Sequence, residues 1–251
     1  MPKVGILTFH YGYNYGGVLQ AYALQQFLLS KGFEVEIINY IPQTYKISLL
    51  YGASKRNILA SLLKIIANLL NQRKSKEKFD QFRNENLHLT RQIVTISDLQ
   101  IVSGNFDAII VGSDQIWNEK LTGGYIPLYF AEGIKKSINR ISYAASTGDN
   151  SVESDKVHCF CSLLTNFDHI SVREKGLSDF MNLKGVTNQL VLDPIFLLED
   201  VQWKKIERLP IESDYVMTYS FGETPHFFEK AQDISRRLNK KMICFLFSPH
   251  K

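Results

Sequence analysis

The chain is poor in cysteine and histidine, has no long apolar run, and concentrates charge of neither sign. Its three cysteines, Cys159, Cys161 and Cys244, are an odd set. The two-residue step from Cys159 to Cys161 puts that pair on different faces of the helix expected there. They read as buried structural thiols rather than as a metal or redox site. The six histidines, at 10, 88, 158, 169, 226 and 250, carry no metal-ligand spacing, so no metal is expected. No Ser-His-Asp or Cys-His arrangement can be argued from their positions either. Lys and Arg number 29 against 25 Asp and Glu, a net +4 that suits a small anionic ligand and falls far short of a nucleic-acid footprint. No Lys/Arg-rich block is interleaved with aromatics.

No apolar run is long enough to span a bilayer, since the stretch 58–70 is interrupted by Ser61, Lys64 and Asn68. Its apolar residues follow helical spacing and are flanked by Lys55, Arg56, Arg73, Lys74, Lys76 and Lys78. An amphipathic helix covering a sheet or a domain face is expected, with peripheral contact of 55–78 with anionic lipid as the sharper alternative. Met-Pro-Lys leads directly into a short strand without a charged n-region and a cleavable apolar stretch, so the reducing cytoplasm is the expected compartment.

What is present is an ordinary globular composition, 45% hydrophobic and 22% charged, in a chain of 251 residues, enough for one large core or two modest ones. A strand over 3–9, a helix over 17–30 stopped by Lys31-Gly32, and a strand over 34–39 make a βαβ opening. A long helical region ending near 86, an irregular 87–96 and a short helix capped by Ser97 precede a strand at 108–111. Further strands are expected at 140–144, 169–172 and 189–192, with helices at about 152–166 and 177–183. Alternating strands and helices argue for an α/β fold with a doubly wound parallel, Rossmann-like sheet. The pattern changes at Asp193-Pro194, because a residue before proline is pushed out of helical geometry. That places a first domain at 1–195. A second region, 196–251, then holds a linker helix and one more βαβ unit, with strands at 215–219 and 242–247 around a helix begun by Thr224-Pro225. A lone βαβ unit of roughly 40 residues leaves a sheet edge open and buries too little to stand alone, so the second domain is expected to be incomplete here.

The segment Gly104 to Asn118 is the most informative. The apolar, β-branched run 108–111 is of the kind a parallel sheet buries on both faces, and Gly112 stops it. Ligands of open α/β sheets sit outside the carboxyl ends of strands, which is where Ser113, Asp114, Gln115, Trp117 and Asn118 are expected. The first β-α turn, His10-Tyr11-Gly12-Tyr13-Asn14-Tyr15-Gly16-Gly17, runs into a strong helix-former that includes Gln20. Its glycines permit close backbone approach, and the free amides of a helix start favour a phosphate or carboxylate. It lacks both Gly-x-Gly-x-x-Gly and the Gly-Lys-Ser/Thr ending, which counts against nicotinamide and ATPase readings. Arg173, after the strand at 169–172, is placed to grip an anion bidentately, while Glu174 either serves as acid or base or caps the next helix. Asp193 either orients a ligand hydroxyl or braces the hinge, the second being favoured. His10 is a candidate acid/base by its ordinary titration range alone.

Five motifs in register carry a resemblance. They are Gly5-Ile6-Leu7-Thr8 leading to Asn14-Tyr15-Gly16-Gly17-Val18-Leu19-Gln20, then Val111-Gly112-Ser113-Asp114-Gln115-Ile116-Trp117-Asn118, then Ser142-Tyr143-Ala144-Ala145-Ser146, Ser171-Val172-Arg173-Glu174-Lys175 and Leu192-Asp193-Pro194. Together they resemble the polysaccharide pyruvyl transferase family along the whole chain. The resemblance implies a glycosyltransferase-B-like pair of doubly wound domains facing a cleft. It also implies transfer of a pyruvyl group from phosphoenolpyruvate, with no further cofactor, onto paired hydroxyls of a glycan in cell-envelope or exopolysaccharide assembly. Members continue through a full second domain with donor-binding basic residues and a histidine implicated in catalysis, so the resemblance implies that those positions fall outside the 251 residues.

For such chemistry Arg173 and the helix start at Gly16-Gly17 are the expected anion grips. Asp114 or Glu174 is the expected acid or base, and Tyr15, Trp117 and Asn118 suit a sugar. A lipid-linked acceptor, at the inner face of the membrane, fits the basic segment 55–78. The alternatives are a non-catalytic glycan- or anion-binding remnant of the fold and a transferase using a nucleotide-sugar donor.

Overall fold

A computed structural model describes residues 1–42, 76–148, 152–208, 213–221 and 225–247. The helix expected over 58–70 and most of the 55–78 lipid contact lie outside these residues, as does the Thr224 cap. The chain divides into two compact units, the second running from Val201 onward and the first holding the described residues before it.

The first unit is a parallel sheet with helices. Its strands are β1 (Lys3–Leu7), β2 (Glu34–Ile37), β3 (Ala108–Val111), β4 (Asn139–Ala145), β5 (His169–Val172) and β6 (Gln189–Leu190), in the order β2-β1-β3-β4-β5-β6. The doubly wound α/β architecture expected from the alternation of elements is the one observed. Register is set at the centre, where Ile6 lies opposite Ile37 on one side and Ile110 on the other. Ile6, Leu7, Ile109 and Val111 are fully buried, as strands covered on both faces must be. The irregular segment after residue 86 adds a rudimentary edge, bridging parallel to β2's end at Ile37–Leu89 and Tyr40–Ile93.

Helix α1 (Tyr15–Ser30) is buried nearly all round, which suits its run of Val, Leu and Ala with few charges. Two polar groups inside it are accounted for locally: Gln25 donates to Asn86 O at 2.9 Å and accepts from His88 N at 2.7 Å. A second helix, α2, covers 76–86, and α3 is Ile96–Ser103. The cap of α3 is Thr95 rather than the expected Ser97. Thr95 Oγ1 accepts from Asp98 N at 3.0 Å and Thr95 N donates to Asp98 Oδ2 at 3.0 Å, a reciprocal box that begins the helix before Ser97. Helices α4 (Glu119–Thr122), α5 (Val157–Leu164) and α6 (Lys175–Leu183), and 3-10 turns at Pro127–Phe130 and Pro194–Leu197, complete the unit.

On α5 the buried positions are Phe160 and Leu164, so Cys159 is exposed and Cys161 half-buried, and Cys244 in the second unit is exposed as well. The expectation of buried thiols is corrected: large apolar side chains at helical spacing took the inner face. The amino-terminal edge of the sheet is fastened by charge. Arg140 grips Asp168 through Nε at 3.1 Å and Nη2 at 2.7 Å, and Arg140 N donates to the same carboxylate at 2.8 Å. Lys3 N donates to Asp107 at 2.7 Å and its ammonium pairs with Glu36 at 2.6 Å.

Helix α7 (Asp200–Trp203) bridges into the second unit, where β7 (Tyr215–Phe221) and β8 (Lys241–Phe247) pair in parallel through α8 (Pro225–Arg237). Alternation along β7 buries Thr218 and Ser220 and exposes Met217 and Tyr219, while α8 buries Ala231 and Ser235. Among the described residues no helix is long and apolar enough to cross a membrane.

Candidate functional site

The direction of winding reverses between β1 and β3, so the loops after these two strands lie at the carboxyl edge of the sheet, where open α/β sheets place their crevice. Both loops are built around glycine. Gly112, at φ 120°, ends β3 where a Cβ would collide with Tyr143 O of the neighbouring strand, so no other residue fits. Gly17, in the first turn of α1, lies so close to the second loop that a Cβ would sit 3.2 Å from Asp114 Oδ2.

From this crevice a hydrogen-bonded chain runs across the strand ends. Gln20, fully buried, donates to Thr8 Oγ1 at 2.9 Å, and Thr8 donates to Ser113 O at 3.2 Å. Ser113 Oγ donates to Asp193 Oδ2 at 3.3 Å, which also accepts from Arg173 Nη1 at 2.8 Å. Arg173 Nε donates to Glu174 Oε1 at 2.9 Å, and Ser146 Oγ donates to the same oxygen at 2.7 Å. The chain reaches Ser146 because β4 carries a bulge. Its register against β5 shifts between Ser142 and Ala145, and Ala144 adopts φ 52°. Ser142 and Ser171 replace the lost ladder bonds by exchanging side-chain and backbone hydrogen bonds of 2.9 to 3.1 Å.

Electrostatics centre on Arg173. Burial works against its charge, but Glu174 and then Asp193 outweigh burial and hold the guanidinium above its usual value. Its hydrogen bonds to described residues run through Nε and Nη1. Glu174 Oε2 is buried with no hydrogen-bond partner among the described residues. Burial pushes the Asp114 carboxyl up from the ordinary range, although Gln115 N donates to it at 2.8 Å and Arg173 lies within electrostatic reach. Burial, and then the charge of Asp193, raise the phenol of Tyr143.

Several residues expected at the ligand have structural duties. Trp117 is 1% exposed, its ring stacked on Phe130 at 5.4 Å and edge-on to Phe160, and its Nε1 donates to Tyr129 O at 2.8 Å. The expectation that Trp117 offers a face to a sugar is therefore corrected: the strand-to-helix turn points it into the core. Asn118 Oδ1 caps α4 through Lys120 N and Leu121 N, and its Nδ2 donates to Gln115 Oε1 at 2.8 Å. The side chains of Gln115 and Asn118 both press on Gly148, where a Cβ would have 2.5 to 2.6 Å to them. Beside Asn118 a small depression is lined by Tyr125, Thr147 and Val152 among others.

Asn14 caps α1, its Oδ1 accepting from Gly16 N at 2.8 Å, and Gly16 and Tyr15 are exposed at the helix start. Tyr15 stacks at a tilt on Phe79 of α2, 4.9 Å away. His10 is buried, with Nδ1 against Thr8 O and Nε2 against Asn39 Oδ1, each at 3.1 Å, and burial lowers its titration. It braces the loop rather than facing the crevice.

Sequence reasoning missed Arg83. This residue of α2 is 8% exposed, donates through Nη1 to Tyr11 O and Gly12 O at 3.1 Å, pairs with Asp80, and lies 5.2 Å from the Tyr13 ring. An arginine inside a helix far along the chain carries no local signal that it will hold a turn. Among the described residues no group of three or more His, Cys, Asp or Glu could hold a metal ion.

A doubly wound parallel sheet whose carboxyl edge carries a polar network centred on Arg173 defines an α/β domain of the Rossmann-like class. The family model for polysaccharide pyruvyl transferase matches residues 14–250, and the chain belongs to that family. Among curated proteins none matches it. Among solved structures it is similar to an alpha-glucosyltransferase in complex with UDP-glucose and DNA containing an abasic site. That likeness has 13% identity and a TM-score of 0.48 over 97% of this chain and 57% of that one. A second similar structure is an alpha-glucosyltransferase with UDP and a 13-mer DNA containing a HMU base, with 13% identity and a TM-score of 0.46 over 94% and 53%. The chain thus spans between half and three fifths of the length of these structures.

Proposed function

We propose that the protein transfers the pyruvyl group of phosphoenolpyruvate onto two hydroxyls of a glycan, forming a ketal, and that the crevice of the first unit is one wall of the site. In this reaction the methylene carbon of the donor gains a proton and its central carbon becomes electrophilic. One hydroxyl adds there and the second displaces phosphate, so one hydroxyl proton ends on the new methyl group and the other leaves with phosphate. Such chemistry needs an anion grip, an acid and a base.

The observation that carries the reading is Arg173, held by Glu174 through Nε and by Asp193 through Nη1, in a chain whose family transfers pyruvyl groups. Arg173 grips the donor's carboxylate or phosphate, helped by the start of α1 at Gly16 and Gly17. Asp114, whose burial favours the protonated form, is the acid, and Glu174 is the base, with Ser146 and Arg173 fixing its orientation. Tyr125 and Asn118 border the depression assigned to the acceptor.

The test is release of inorganic phosphate from phosphoenolpyruvate by the intact protein, with and without glycan acceptors carrying adjacent free hydroxyls. Acceptor-dependent release is expected, and Arg173→Ala should raise the donor concentration needed for half-maximal release about tenfold or more. Release that ignores the acceptor, or a donor dependence unmoved by Arg173→Ala, contradicts the reading. A lipid-linked acceptor at the inner membrane face belongs to the same proposal and is supported by the basic flanks of 55–78. Equal liposome flotation after neutralising Lys55, Arg56, Arg73 and Lys74 would dispose of that part.

A further inference from the structure

Asp193 bonds through both carboxylate oxygens, one to the turn that follows it and one to the network at the strand ends. It precedes Pro194, which has no N–H, so the first free amide of the 3-10 turn Pro194–Leu197 is that of Ile195, and Asp193 Oδ1 caps it at 3.1 Å. The turn packs against α1 and opens the connector that reaches the second unit at Val201. The other oxygen, Oδ2, accepts from Arg173 Nη1 at 2.8 Å and from Ser113 Oγ at 3.3 Å. One carboxylate therefore caps the connector and orients the arginine at the crevice, with its side chain about one-fifth exposed.

We propose that Asp193 is a positioning residue that couples anion occupancy at Arg173 to the order of the connector's first turn. An anion that approaches the Nη1/Nη2 edge competes with Asp193 Oδ2 for the guanidinium. As that bond weakens, the carboxylate loses the anchor that aims Oδ1 at Ile195 N, and the turn loosens. Linkage makes the effect reciprocal: a connector conformation that draws Asp193 away frees Arg173 for the anion. Glu174 does not share this role: among the described residues its hydrogen bonds run to Ser146 and Arg173, and it reaches the connector indirectly, through Arg173 and Asp193. The ligand arm of this inference rests on the reading of Arg173 as an anion grip, whereas the arm without ligand does not.

Amide hydrogen exchange at single-residue resolution on the intact chain tests it. Without ligand, Arg173→Gln should speed exchange of the Ile195 amide about tenfold, the effect of weakening one charge-assisted contact. In the unaltered protein, 10 mM phosphoenolpyruvate should speed the same amide several-fold. It should leave the Arg140 amide at the far end of β4 unmoved, and should have no further effect in Arg173→Gln. Asp193→Asn, which keeps an acceptor for Ile195 N and removes the charge facing Arg173, should abolish the response to phosphoenolpyruvate. Exchange at Ile195 that stays within twofold in Arg173→Gln overturns the coupling whether or not any anion binds. Phosphoenolpyruvate that binds, as read by a raised melting temperature, yet leaves Ile195 unmoved overturns it as well. If phosphoenolpyruvate does not bind, the donor-grip reading of Arg173 fails and the ligand-free comparison still decides the coupling.

Discussion

Replacing Trp117 by phenylalanine separates a core role from a sugar-facing one. The substitution removes the indole N–H that Tyr129 O accepts at 2.8 Å, inside a cluster with Phe130, Phe160 and Phe167. Leaving that carbonyl without its donor costs about 1–3 kcal/mol, and the smaller ring leaves a void worth about 1 kcal/mol more. A loss of about 2–4 kcal/mol in a unit of this size lowers its melting temperature by roughly 5–15 °C. Urea unfolding followed by circular dichroism should show the midpoint falling with an unchanged slope. The chain has two tryptophans, so the variant leaves Trp203 as its sole indole fluorophore, and the blue-shifted share of the emission should vanish. Binding of methyl glycosides, followed by saturation-transfer NMR, should be unaffected once the protein is folded. A midpoint moved by less than 0.5 kcal/mol together with lost glycoside binding would refute the core assignment and return Trp117 to the site.

Three further outcomes are expected. Gly112→Ala forces a Cβ onto Tyr143 O at a φ that alanine avoids, so a loss of about 3 kcal/mol or more is expected in urea unfolding, and a loss below 1 kcal/mol would show the loop to be pliable. Asp114 binds its proton more tightly when folded than unfolded, because burial raises its titration. Stability should therefore fall as pH rises from its unfolded value near 3.8 toward the higher folded one. Asp114→Asn should remove that segment of the pH–stability curve and gain on the parent as pH increases, and parallel curves would show the burial to be relieved. Arg83→Gln withdraws the donor shared by Tyr11 O and Gly12 O and should speed exchange of amides 13–17 at least tenfold while sparing β3, with no change counting against the clamp.

Strand positions were legible because each is a short β-branched run bounded by glycine or polar turns. The run at 108–111 and that at 169–172 are strands over those very residues, and α1 begins only two residues before its expected start. The convergence of Ser113, Arg173 and Glu174 at one edge was legible too, since a parallel sheet brings all its carboxyl ends to the same side. What escaped was chemistry that depends on neighbours distant in sequence. Trp117 follows a strand just as a ligand-facing residue would, and only the 3-10 turn at Pro127–Phe130, too short for any periodicity, turns it inward. Asn118 has the composition of a sugar contact and the position of a helix cap, and the cap is decided by a four-residue helix. Arg83 holds a turn some seventy residues earlier in the chain.

The carboxylate clamps at the opposite margin, Arg140 with Asp168 and Lys3 with Asp107 and Glu36, tie three adjacent strand pairs together without touching the crevice. Loops on the crevice side are thereby mechanically insulated: they can be exchanged, lengthened or trimmed while strand spacing is dictated from below. Variation that leaves Ser113, Asp114, Trp117 and Ser146 in place is therefore best sought at 119–124, and a protein engineer reshaping that side would do well to cut there and leave the buckle intact.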